Sequence, residues 1–417
     1  MREIAFNITA YKTAISTNAP RTAMSLSHKV GLDDEQLRIL FSSFGSVSGV
    51  GLLSYAALPF LIGATMESLD LNAAEVGFLY TLEFLAAATS SLILAPRTGG
   101  INRRNLAFAG ASIAIVGSLA SAWWCSYEAL LVIRPFTGAG AGLTLAAGNA
   151  TIANARHPAK IAGLMNVLFA ALVLVLMLLL PVLAKSWGVI GVFLGLAAAM
   201  FIFLALLLLM PQRVNVIGPV SEAGQSDNTV LISVSAIAVF AAFFLFTMRD
   251  SMAWGFAERI GTEVGYSSAQ VGGLLSVQAL IGLLGPALAA LIGFRYGVKL
   301  PLLLGLTVAG LTTYAIFLSV DIPGLFEIPV LCWTAGYFFG ISYLTAFAAS
   351  LDSEGRIAAA SGSALVLGVA VGPAFAGYLI TYGGYDLGAW AQLAMTVASI
   401  IAVVISLKWA HDTWVPG

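Results

Sequence analysis

The chain has 417 residues, of which 59% are hydrophobic and only 9% charged, and its mean hydropathy is +0.95. A soluble globular domain carries about a quarter charged residues, so this composition cannot clothe a water-facing surface, and an all-α membrane protein is expected. A net charge of −1 excludes a strongly basic nucleic-acid binder. The two cysteines, Cys125 and Cys332, offer neither a disulfide framework nor a metal motif, and no cofactor is expected.

In chain order, residues 1–38 form a polar tail of mixed sign in which "GLDDEQLR" predicts a short helix leading into the first span. The tail lacks the apolar core and small-residue cleavage site of a signal peptide. A helix needs roughly 20 apolar residues to cross the hydrocarbon of a bilayer. Twelve runs qualify: 39–65, 73–96, 105–123, 128–153, 161–183, 188–210, 229–257, 268–293, 300–319, 327–350, 358–381 and 388–409. None alternates strictly, which excludes a transmembrane barrel. The polar stretch 211–228 divides them into an N-terminal six-helix bundle (39–210) and a C-terminal one (229–409), with a short tail over 410–417.

Twelve spans place both termini on one side. That side gathers fifteen of the nineteen Lys and Arg residues, including Arg97, Arg103, Arg104, Arg156, Lys160, Arg295, Lys299 and Arg356 in its loops. The positive-inside rule then puts both termini in the cytoplasm, in a plasma (inner) membrane. Glu67, Asp70, Glu75, Glu128, Glu258, Glu263, Asp321, Glu327 and Asp386 fall at the opposite, acidic end and read as solvated caps or surface charges.

The two halves repeat. "LNAAEVGFLYTLEFLAA" at 71–87 aligns with "YSSAQVGGLLSVQALIG" at 266–282, sharing an A-[EQ]-V-G core and a polar residue six positions after its glycine. At nearly the same offset "RTG" (97–99) meets "RYG" (295–297), and "TGAGAG" (137–142) meets "AGYFFG" (335–340).

A charge inside a span is costly unless paired or hydrated. Glu83 and Arg134 lie at comparable depth, roughly 9–15 Å from the acidic end at about 1.5 Å per residue, and can pair if their helices face each other. They read either as a proton-coupling device or as a structural ion pair; their repeat counterparts, Gln278 and Cys332, are neutral. Arg249 and Asp250 are adjacent in "LFTMRDSMAWGF" and point about 100° apart. The proton-coupling candidates are Glu83, Arg134 and Asp250. The substrate-binding candidates are Arg134, Arg249, Tyr55, Gln278 and Trp254, with an interfacial belt as the plainer reading of Trp254. Small residues at Gly138–Gly142 and Gly368–Gly372 suit close helix approach. His28, His157 and His411 all belong to the basic side, so no mid-membrane histidine relay is expected.

Several motifs resemble those of the major facilitator superfamily. "APRTGGINRR" is similar to its basic loop after the second span, and "RPFTGAGAG" to its fourth-span Arg-x-x-x-Gly motif. "NATIANARHPAKIAG" resembles the entry to the fifth span, and "SLDSEGRIAAASG" with "LGVAVGPAFAG" the exit from the tenth and body of the eleventh. The resemblance covers residues 39–409 and implies twelve helices in two pseudo-symmetric bundles, with gating loops at Arg97, Gly99, Arg103, Arg104, Arg295 and Gly297. Pro96 and Phe294 stand where that loop usually has Asp, which removes its charge latch. The fifth span lacks the Gly-x-x-x-Gly-Pro signature of proton-coupled drug antiporters.

The expected function is therefore secondary active transport by alternating access, as proton-coupled uptake of a small organic anion drawn to the two arginines. The alternatives are efflux of an amphipathic or neutral molecule, and a non-transporting receptor or scaffold. An enzyme is not expected, nor a nucleic-acid partner, and the chain reads as a monomer in contact with membrane lipid.

Overall fold

The computed structural model describes residues 32–98, 100–212, 228–352 and 355–410. Residues 1–31 and 411–417 of the expected tails, Gly99 and most of the 211–228 linker lie outside the described residues. Within them the elements are helices and no strand occurs. Among the described residues, nine helices are long and apolar enough to cross a membrane. Two of these, Pro158–Leu207 and Arg356–Ala410, fold back on themselves at Gly188 (φ 59°, ψ −151°) and Gly384 (φ 70°, ψ −177°), conformations that glycine alone adopts readily. Gly195 accordingly lies against Leu183, although twelve residues of straight helix would separate them by about 18 Å. With these counted double, spans two to twelve are Ala73–Leu94, Arg103–Trp123, Tyr127–Ala153, the two arms of Pro158–Leu207, Val234–Val264, Ser268–Gly282 continued by Leu284–Ile292, Lys299–Leu318, Glu327–Ser350 and the two arms of Arg356–Ala410.

The first span departs from the continuous run expected over 39–65. It begins at Asp34, where Asp33 accepts the backbone N–H of Gln36 (2.8 Å) as an N-cap. Phe44–Gly51 ("FGSVSGVG") is π-helical, and the chain leaves helical geometry at Leu52 before the helix Leu58–Leu69. Pro59 adds a second defect: it has no N–H, so the carbonyl of Tyr55, four residues earlier, loses its helical donor.

The repeat has a physical meaning. Asn72 accepts from the Glu75 N–H (3.0 Å) while Glu75 accepts from the Asn72 N–H (2.9 Å). Ser267 and Gln270 form the same reciprocal capping box at the start of span eight. The E/Q of A-[EQ]-V-G is thus the residue that closes the box in each half.

One hydrophobic core joins the two halves near the acidic end, from Leu53, Phe60 and Tyr80 across to Met252, Phe256 and Trp333. Toward the basic end it divides. One core holds only N-half residues, such as Ile39, Val47 and Ile161, and another only C-half residues, such as Phe243, Leu306 and Phe347. Hydrogen bonds between halves follow the shared core: Thr81 Oγ accepts from Ala374 N–H (3.0 Å), Thr381 Oγ from Ala74 N–H (2.9 Å), and Ser276 donates to Leu174 O (3.2 Å). The molecule is a V, closed at the acidic end and parted at the basic end.

Candidate functional site

Spans two and four cross where Gly138 meets the carbonyl of Glu83; a Cβ on Gly138 would collide with it. That approach brings Arg134, one turn away, onto the Glu83 carboxylate. Arg134 Nε donates to Oε2 (2.9 Å) and Nη2 to Oε1 and Oε2 (2.7 and 2.6 Å), with Ser54 Oγ at 3.2 Å. Both side chains are buried. Phe193 and Tyr80 flank the guanidinium at 5.2 and 5.8 Å. Such fork-to-carboxylate pairing is the strongest compensation available to a buried guanidinium.

Arg249 is equally buried but differently held. Its Nη1 donates to Ala309 O and to Thr313 Oγ1 (2.6 Å) on span nine, and the guanidinium lies 4.9 Å from the Phe246 ring. Among the described residues it forms no ion pair, and Nε and Nη2 find no partner. Arg249, expected among the substrate-binding residues, directs its Nη1 toward span nine within its own half.

Asp250 points elsewhere. Its Oδ1 accepts from Trp333 Nε1 (2.6 Å), its only hydrogen-bonded side chain among the described residues, and 7% of the residue remains exposed. Trp333 sits 6.1 Å from Trp254, whose ring is 6.5 Å from Tyr55, and Tyr55 lies 5.8 Å from Phe84. Tyr337, one turn from Trp333, stacks on Phe246 at 5.2 Å. Tyr55, Phe84, Trp254 and Tyr337 are half-buried. Trp254 Nε1 donates to the Tyr55 carbonyl (2.7 Å), the one that Pro59 leaves without its helical donor. Trp254 is therefore an internal contact between halves, not an interfacial belt residue.

Of the other expected residues, Gln278 is buried with its amide nitrogen unpartnered. Arg103 donates to Thr98 O (3.3 Å) and Ala150 O (3.0 Å), Arg104 to Met210 O (2.9 Å), and Arg97 to Ile93 O (2.7 Å). They tie down helix C-termini at the basic end. Arg295 and Gly297 (φ 67°) are a turn there, and Gly99 lies outside the described residues. Sequence reasoning missed Phe84, Trp333 and Tyr337, whose aromatic character carries no positional signal in apolar text. It also placed Glu258 among solvated charges, whereas it is buried.

A profile of the Major Facilitator Superfamily matches residues 39–367. Among solved structures, the fold is similar to a bacterial homologue of the human lysosomal transporter Spinster in an inward-facing, unoccupied conformation (TM-score 0.71, 15% identity, covering 92% of this chain and 100% of that one). It is also similar to the nucleoside transporter NupG (TM-score 0.66, 15% identity, 90% and 99%) and to a variant of NupG (0.69, 14%, 90% and 99%). No curated protein matches the chain.

Proposed function

Since the chain belongs to the Major Facilitator Superfamily, and so is a multi-pass membrane transporter of small molecules, we propose that it is a proton-coupled importer whose proton and substrate meet at Asp250. The basic end lies in the cytoplasm on this reading, so the V opens inward. The observation that carries it is the contrast between two acids. Protonating Glu83 would strand Arg134 in the membrane, whereas Asp250, halfway along span seven, can take up a proton without breaking any ion pair within 4 Å.

The substrate follows from what faces Asp250. An organic anion needs a guanidinium turned toward it; Arg134 is paired with Glu83, and Arg249, although its Nε and Nη2 lack partners, is directed toward span nine. The arrangement favours a neutral solute with a flat ring and hydrogen-bond donors, stacking among Tyr55, Phe84, Trp254 and Tyr337 and donating to Asp250. A nucleoside, the solute named for one structural neighbour, has both features. Import is tested in proteoliposomes with an inward proton gradient, using labelled nucleosides and aromatic carboxylates of similar size. The expected result is accumulation of the neutral solute, lost in Asp250→Asn and kept in the absence of any carboxylate uptake. Carboxylate accumulation would restore the anion reading. Loss of solute preloaded into the vesicles against its gradient would make the chain an exporter, and no movement of any solute would leave a receptor or scaffold.

A further inference from the structure

Span seven carries three polar residues at intervals of four: Asp250, Trp254 and Glu258. That spacing sets them along one side of the helix, about 12 Å from first to last at about 1.5 Å per residue. Trp254 and Glu258 each meet span one, Trp254 at the Tyr55 carbonyl and Glu258 at Gly63. Glu258 Oε2 lies against the Cα of Gly63 so closely that a Cβ there would collide with it. The other oxygen, Oε1, accepts from Ser268 Oγ (2.6 Å). Only 6% of the residue is exposed.

This seam is where the halves close. The charged and titratable groups around Glu258 are Glu67 on span one, Arg259 and Glu263 on its own helix, and Tyr385 where the last two spans meet; span eight contributes Ser268, which does not titrate. Arg259 pairs with Glu263 (2.8 Å), and among the described residues no cation reaches Glu258 within ion-pair distance. Closing the seam therefore strips a carboxylate of water and gives it one hydroxyl in return, beside a second acid.

We propose that Glu258 is a proton-binding residue of the acidic-end gate: it is hydrated when spans one and seven part, and the gate closes on Gly63 once Glu258 is protonated. The sign follows from desolvation. An ionised carboxylate resists entry into the seam, while the neutral acid enters without that penalty. Low pH on the acidic side then favours the closed gate, by up to about tenfold per pH unit for one linked proton. Gly63 is the matching half of the device, because any side chain there occupies the space the carboxyl enters. The inference rests on alternating access and not on Asp250 or on the substrate.

The test reads conformation rather than transport. Spin labels at Ser186→Cys, beside the Trp187–Gly188 bend, and Gly324→Cys, in the 3-10 turn Pro323–Leu325, both exposed at the acidic end and on opposite halves, are placed in a chain bearing Cys125→Ser and Cys332→Ser. Distances are measured between pH 5.5 and 8. The short-distance population is expected to grow as pH falls in the parent chain, to stay high at every pH in Glu258→Gln, and to stay low in Gly63→Ala. Ser268→Ala, which removes the one hydrogen-bond donor to Glu258 among the described residues while keeping the acid, is expected to move the midpoint. A parent chain with pH-independent distances overturns the proposal, as does a Glu258→Gln chain that keeps the parent response or a Glu67→Gln chain that alone abolishes it. Asp250→Asn is expected to keep the gate response while losing uptake, which separates failure here from failure of the transport reading.

Discussion

The two halves each bury one arginine beside an acid, and they treat it oppositely. In the N half, Arg134 and Glu83 come from different helices and clamp each other through three contacts of 2.6–2.9 Å. In the C half, Arg249 and Asp250 are neighbours on one helix, diverge, and never bond; the arginine settles on neutral acceptors of span nine and the acid on an indole. A clamped pair is a fastener between helices. A divided pair leaves a carboxylate held by an indole and bonded to no arginine, and on the proposed reading this is the acid whose charge changes.

The largest effect should come from breaking the clamp. Glu83→Ala or Arg134→Met leaves a lone buried charge, which costs about 3–5 kcal/mol; chemical unfolding in micelles should show this in each single variant and a partial recovery in Glu83→Gln combined with Arg134→Gln. If the singles unfold like the parent, the pair is not a fastener. Next comes the crossing that makes the clamp possible. Gly138→Val drives a branched side chain into the Glu83 carbonyl and should cost about 1–3 kcal/mol, while Gly163→Val at the basic end, where a Cβ meets nothing, should cost far less.

A smaller effect tests the contact between halves. Trp254→Phe keeps the ring but deletes the donor to the Tyr55 carbonyl, worth about 1 kcal/mol. That corresponds to roughly a fivefold shift away from the basic-end-open state in the spin-label distances; unchanged populations would make the bond incidental. The smallest change is expected for Arg249→Met. It removes a buried cation that forms no ion pair among the described residues and replaces it with an apolar chain of similar reach, so stability should move by less than about 1 kcal/mol. A loss as large as that of Arg134→Met would erase the contrast between the halves.

Much of the fold was legible because its signals are long or local. Twelve apolar runs, a basic side and a polar divider need no knowledge of packing. The A-[EQ]-V-G repeat was legible because a capping box is contained within a few residues. Even the clamp could be anticipated, from two charges at one depth and a glycine one turn from the arginine. The direction of Arg249 could not. Asp250, Trp254 and Glu258 mark one side of span seven, but Arg249 lies about 100° round the helix from Asp250, and nothing in the sequence says which neighbour that side meets. The same holds for Phe84, Trp333 and Tyr337, ordinary aromatics until tertiary packing sets them against Tyr55, Trp254 and Phe246.

The amino-acid sequence by itself determined the solvent, the all-helical membrane fold, the internal repeat and the presence of charges that must be accounted for in lipid. These depend on composition and on contacts within a turn or two of helix. Only the tertiary structure decided which acid is spent on an arginine and which is free, that the first span breaks where Pro59 releases a carbonyl to Trp254, and that Glu258 is sealed against Gly63. Each is a contact between residues far apart in the chain. Its existence depends on the rotation of one helix against another, which close packing of the whole bundle sets.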